Sequence, residues 1–80
     1  DGLSAERGLT TPHQLVASIG TNIVKRARRI IVVADSSKVG RHGLTCIASI
    51  NEVDTLVTDT DVDQGQVKEL RRLGVEVIIV

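Results

Sequence analysis

Asp35, Ser36, Ser37 and Lys38 are the residues best suited to chemistry, four polar side chains in a row ahead of Val39 and Gly40. A lysine ammonium is a compact point charge on a flexible stem and suits a phosphate. The two serines add hydroxyl donors, and successive backbone N–H groups of a tight turn can form a concavity for an anion. The same residues also read as a solvated turn that opens a short helix, with Ser36 or Ser37 as its cap. Residue types and spacing leave both readings open.

Other chemistry-bearing residues read more simply. Asp59, Asp61 and Asp63 alternate along one stretch. They lack the glycine placement and closing glutamate of a calcium loop, so the expectation is acidic capping of the helix that follows. Lys25-Arg26-Ala27-Arg28-Arg29 is a basic run. It reads as the exposed end of an amphipathic helix, where cations complement the helix dipole, ahead of a DNA contact. His13 and His42 read as surface residues. Cys46 has no second cysteine for a disulfide or a metal cluster and reads as a buried thiol. There is no Gly-x-Ser-x-Gly elbow, no Gly-x-Gly-x-x-Gly turn and no Walker loop, which removes the main support for hydrolase, dinucleotide and NTP readings.

The elements that must position Lys38 come next. Ile30 to Ala34 is a run of five apolar residues, four of them β-branched, and reads as a buried parallel strand. The polar residues 35–38 then fall at its carboxyl end, where open α/β sheets place ligands. Asp1 to Thr10 reads mostly as loop. Thr11 as cap, Pro12 at the first helical position and Gln14 open a helix. Its apolar face is expected to be Leu15, Val16, Ile19, Ile23, Val24 and Ala27, with Gly20 permitting a close approach. Leu44 to Ser49 is a weaker strand, Asn51 to Asp54 a turn or a single helical turn, and Thr55 to Thr58 a buried strand. Asp63 caps a second helix with Val67, Leu70 and Leu73 as its stripe, Gly74 ends it, and Val75 to Val80 is a last strand. Helices alternating with buried strands imply an α/β fold with a mainly parallel sheet flanked by helices.

Eighty residues without an aromatic or a methionine make a thin core of Val, Ile, Leu and Ala. A chain of this length buries only ~60–65% of its unfolded surface, so extra burial against further polypeptide or a partner chain is expected. The absent initiator Met and the abrupt start at Asp1-Gly2 suggest a partial domain, excised from a longer chain. Formal net charge is zero, which removes a global field for nucleic acid or anionic membrane. No apolar run is long enough for a membrane helix, and no cofactor is implied.

Together, Gly8-Leu9-Thr10-Thr11, a helix, then Arg28-Arg29-Ile30-Ile31-Val32-Val33-Ala34-Asp35-Ser36-Ser37-Lys38-Val39-Gly40 resemble the effector-binding domain of DeoR-type bacterial transcription regulators. Asp54 to Asp59 and Leu73-Gly74-Val75-Glu76-Val77 fit the same pattern, so the resemblance runs over essentially all 80 residues. It implies a fold similar to ribose-5-phosphate isomerase and the second half of a domain that senses a phosphorylated sugar. It also implies an upstream helix-turn-helix that binds operator DNA, a first phosphate loop upstream, a repressor, a homo-oligomer and a cytoplasmic location.

By the same resemblance Asp35-Ser36-Ser37-Lys38 is similar to an Asp-x-Ser-Lys segment of the isomerases, whose lysine contacts substrate. Lys38, Asp35 and Ser37 are thus the implied ligand contacts, with sugar hydroxyls near Asp1, Ser18 and Thr21. The isomerases place a catalytic Glu in the helix before the strand. The stretch Val16-Ala17-Ser18-Ile19-Gly20-Thr21 has no carboxylate, and nothing acidic lies between Gly8 and Lys25. Proton transfer between sugar carbons needs a base. The expectation is therefore a sensor without catalysis, with an isomerase-like enzyme fragment as the alternative.

Overall fold

The computed structural model describes residues 2–43 and 45–80, and their side chains except those of residues 15, 16 and 45. Six strands and two helices follow in the order β1 (Gly2–Ser4), β2 (Gly8–Thr11), α1 (Gln14–Arg26), β3 (Ile31–Val33), β4 (Thr45–Ala48), β5 (Thr55–Thr58), α2 (Gln64–Arg72) and β6 (Glu76–Ile79). Single 3-10 turns lie at Ser36–Lys38 and Ile50–Glu52. The strands form two three-stranded sheets, an antiparallel one ordered β1-β2-β4 and a parallel one ordered β3-β5-β6. The α/β class and the parallel sheet are as expected. A mainly parallel sheet is not, because half of the strands belong to the antiparallel sheet.

The first correction explains the second sheet. Residues 2–11 form a hairpin and not a loop, in register Gly2↔Thr10 and Ser4↔Gly8. The Arg7 N–H donates to Ser4 Oγ at 3.1 Å and closes the turn. Ser4, Thr10 and Thr11 are buried polar residues whose hydroxyls are used. Thr10 Oγ1 donates to the Gly2 carbonyl and accepts from Gly43 N–H. Thr11 ends β2 and does not cap α1. The cap position is His13, which makes no side-chain cap bond, while Thr11 Oγ1 accepts from the His13 N–H at 3.3 Å.

Helix α1 lies on the antiparallel sheet, with its main contact on β4. The buried or half-buried face is Ala17, Gly20, Thr21 and Val24. Ile19 and Ile23, expected to be in the core, are exposed, and so is Ala27. Leu15 and Val16 lie outside the described side chains. The packed face is small because the helix sits close to the strand: a Cβ on Gly20 would stand 2.8 Å from Ile47 Cγ2. Van der Waals contact at that distance is repulsive, so the large isoleucines are left turned away.

Helix α2 keeps its expected cap, stop and most of its stripe. Asp63 is the cap, accepting from the Gln66 N–H at 2.9 Å. Gly74 follows the helix at φ +96°, a conformation that costs an L side chain strain but not glycine. Val67 and Leu70 are buried, whereas Leu73 is exposed. With Leu56, Val77, Leu3 and Val39 they form one core between α2, one face of the parallel sheet and β1.

β3 is parallel, as expected, but it is an edge strand and not fully buried. Ile31 and Val33 are 55% and 77% exposed. Alternate residues of a strand point to opposite faces. Val32 therefore packs on the core while Ile31 and Val33, with Ile78 on β6, leave an open apolar face. Cys46 is likewise exposed and not buried; on β4 its Sγ lies 3.5 Å from the Arg7 carbonyl.

Candidate functional site

A cavity of about 330 Å³ opens at the carboxyl end of β3, where the two sheets meet. Gly2, Leu3 and Leu9 of the β1–β2 hairpin form one wall. Val32, Val33 and Ala34 form the other, and Asp35 and Lys38 supply its charged groups. The two sheets are joined beside it by a parallel bridge between Leu3 and Val39 and by the Gly40 N–H donating to the Leu3 carbonyl at 2.6 Å.

The turn that carries Lys38 is ordered from within. Asp35, not Ser36 or Ser37, is its cap: Asp35 Oδ1 accepts the Ser37 N–H at 2.9 Å and also a bond from the Ser37 hydroxyl. These two bonds, the hydroxyl one first, hold the Asp35 carboxyl below its usual pKa. The Lys38 N–H donates to the Asp35 carbonyl and the Val39 N–H to the Ser36 carbonyl. The turn is built as a short helix would be, and it presents Lys38 to the cavity.

One contact was not foreseen from the sequence. Asp59, read as a helix-capping acid, does not cap α2. Its Oδ2 accepts the Ser36 N–H and its Oδ1 the Asp61 N–H, both at 2.9 Å. The Ser36 N–H, then that of Asp61, keep its carboxyl below the usual range. Only Asp63 of the acidic triplet is the helix cap. Asp59 follows β5, the strand next to β3 in the sheet, an adjacency that the order of residues along the chain does not show.

The expected contacts divide sharply. Asp35 and Lys38 meet on the cavity, while the Ser37 hydroxyl is spent on Asp35. Ser18 and Thr21 do not line it: Ser18 is exposed on α1, and the Thr21 hydroxyl donates to the Ile47 carbonyl at 3.4 Å. Asp1 lies outside the described residues. The hairpin residues Gly2, Leu3 and Leu9 were missed because residues 1–10 were read as loop. Chemically the cavity offers the Lys38 ammonium, the Asp35 carboxylate and apolar walls. That suits a small anionic ligand with a carbon skeleton.

The family described as DeoRC, the DeoR C terminal sensor domain, matches residues 1–60. The chain is 36% identical over 78 residues to the HTH-type transcriptional regulator GlpR of Haloferax volcanii, covering 98% of this chain and 31% of that protein. It is 32% identical over 75 residues to the HTH-type transcriptional repressor GlcR of Bacillus subtilis (strain 168), covering 94% of this chain and 29% of that one. The chain thus spans about a third of the length of these curated relatives. No solved structure matches it significantly. The matched family is a sensor domain of transcription regulators and not an enzyme. With that match running over three quarters of its length, the chain belongs to the DeoR C-terminal sensor-domain family.

Proposed function

We propose that these 80 residues are the second half of an effector-sensing domain with a ribose-5-phosphate-isomerase-like fold. The domain serves a DNA-binding repressor that responds to a phosphorylated sugar or related metabolite. The observation that carries this reading is the cavity at the carboxyl end of β3, with Lys38 as its cation. Lys38 takes the phosphoryl group, together with a loop from the polypeptide that precedes this stretch. The apolar walls face the carbon skeleton. Operator DNA is bound by a helix-turn-helix elsewhere in the longer chain, as the names of both relatives suggest. The regulator is a homo-oligomer of the cytoplasm.

The mechanism is differential binding. An effector shifts an equilibrium only by its difference in affinity for the two states. The cavity lies where the two sheets join, so a ligand there favours one arrangement of that junction and, through it, one DNA affinity. Catalysis is not part of this reading, since α1 supplies no carboxylate.

The test is Lys38→Ala in the full-length protein. Hydrogen bonds to a charged group contribute about 1.5–3 kcal/mol, so binding of the recognised phosphosugar should weaken by about tenfold or more. Unchanged dissociation constants across a panel of binding sugar phosphates, in a protein that remains folded, would remove Lys38 from the site.

A further inference from the structure

The Lys38 turn is fastened to the rest of the protein in an uneven way. At its start, the Ala34 N–H donates to the Val57 carbonyl and ends the β3–β5 ladder. At its finish, Val39 bridges Leu3 and the Gly40 N–H donates to the Leu3 carbonyl. Between these points the bonds of Asp35 and Ser37 stay inside the turn, and the Lys38 carbonyl accepts the Arg41 N–H from the segment just beyond it. Among the described residues, what ties it to the parallel sheet there is Ser36 on Asp59, the Ser36 N–H donating to Asp59 Oδ2. The internal bonds set the shape of the turn but not its placement against the sheet. Placement rests on Asp59.

We propose that Asp59 is a positioning residue of the effector site, its carboxylate fixing the Ser36–Lys38 turn against β5 and so setting where the Lys38 ammonium meets a bound anion. This rests on the reading of Lys38 as the anion contact. Asp59 does not line the cavity, so it acts through the turn and not on the ligand. It is well placed to act as a fixed reference. It directly follows β5, the central strand of the parallel sheet, whose Leu56 is fully buried. Its second oxygen accepts the Asp61 N–H, which holds the carboxylate plane from the other side. An ionised carboxylate is acceptor-only and can serve both N–H groups at once. An amide can serve one of them and places a donor opposite the other.

The experiment measures inorganic phosphate affinity by NMR titration of the full-length protein, for the native chain, Asp59→Ala, Lys38→Ala and the double variant. Asp59→Ala should weaken phosphate binding about fivefold, the scale of one hydrogen bond's net contribution. In the Lys38→Ala background it should weaken binding no further, because the turn then has no cation to place. Asp59→Asn keeps one acceptor and should fall between the native chain and Asp59→Ala, with the same dependence on Lys38. It is also the variant to use if Asp59→Ala does not fold. An unchanged affinity in folded Asp59→Ala, or an equal loss with and without Lys38, overturns the positioning role. If Lys38→Ala itself leaves phosphate binding unchanged, the effector-site reading fails and the role of Asp59 falls with it.

Discussion

The two helices of this chain meet opposite fates. α2 is capped by Asp63, places Val67 and Leu70 in the core and ends on Gly74. α1 has no side-chain cap, packs through Ala17, Gly20, Thr21 and Val24, and leaves Ile19 and Ile23 exposed by 55% and 63%. Both helices are amphipathic. What differs is the surface each has to cover. α2 crosses over between two parallel strands and is pressed onto the face they share. α1 lies on a small antiparallel sheet that takes only its narrow face. An apolar stripe records that a helix is meant to be covered, and the surroundings decide which residues are.

The largest test of this contrast is a pair of truncations. Leu70→Ala removes a side chain with 0% exposure and should cost about 2–5 kcal/mol, transfer and cavity together. Ile23→Ala removes a side chain of similar size from a surface position and should stay within about 0.5 kcal/mol. Urea unfolding of each variant reads both values. Similar losses at the two positions would mean that Ile23 is covered in solution, and the asymmetry between the helices would be false.

The same contrast separates what was legible in the sequence from what was not. Asp63, Gly74 and the Val67–Leu70 stripe were readable because caps, stops and periodicity are local. The carboxyl-end position of Lys38 was readable from a strand followed by a polar turn. The buried face of α1 was misjudged because hydrophobicity ranks Ile19 and Ile23 above Ala17 and Gly20, and close approach reverses that order. Ile31 and Val33 were placed in the interior because a β-branched run has no mark for an edge strand. The hairpin of residues 2–11 carries no strand pattern because, beside Leu3 and Ala5, its buried positions include Ser4, Thr10 and Thr11, and polar burial depends on partners such as Gly43 for Thr10 that are distant in sequence. Asp59 was assigned to the wrong partner for the same reason: its bond to Ser36 spans 23 residues.

The caps give a test of intermediate size. Asp63→Ala should destabilise by about 1 kcal/mol through loss of the bond to the Gln66 N–H. At the start of α1, His13 already has the extended backbone of a cap, with φ −101° and ψ 113°, but no side-chain bond. His13→Asp should therefore stabilise, by about 0.5–1 kcal/mol, through a new bond and a negative charge at the helix start. Thermal melting resolves both. A destabilised His13→Asp would show that the start of α1 is satisfied already, and that its lack of a cap is not a weakness.

The smallest expected effect concerns acid, and it belongs to the α2 side of the molecule. Asp35 and Asp59 both have carboxyls held below the usual range by bonds from Ser37 and Ser36. A carboxylate with a depressed folded pKa binds fewer protons folded than unfolded. Its stabilising contribution is complete above the unfolded value of about 3.9 and is lost as the pH falls through the folded one. Asp35 is exposed and Asp59 only half-buried, so the contribution is small and screened. Protonation also removes acceptor capacity from the Ser36–Lys38 turn. Amide protection, corrected for the intrinsic exchange rate, should therefore fall at Ser36 and Ser37 as the pH drops below about 4 more than at the Val57 and Ile78 amides of the sheet ladder. The Asp35→Asn, Asp59→Asn double variant should lose that extra acid response. If the turn and the ladder open together on acidification, the carboxylates do not hold the turn apart from the sheet, and the site is no more acid-sensitive than the fold that carries it.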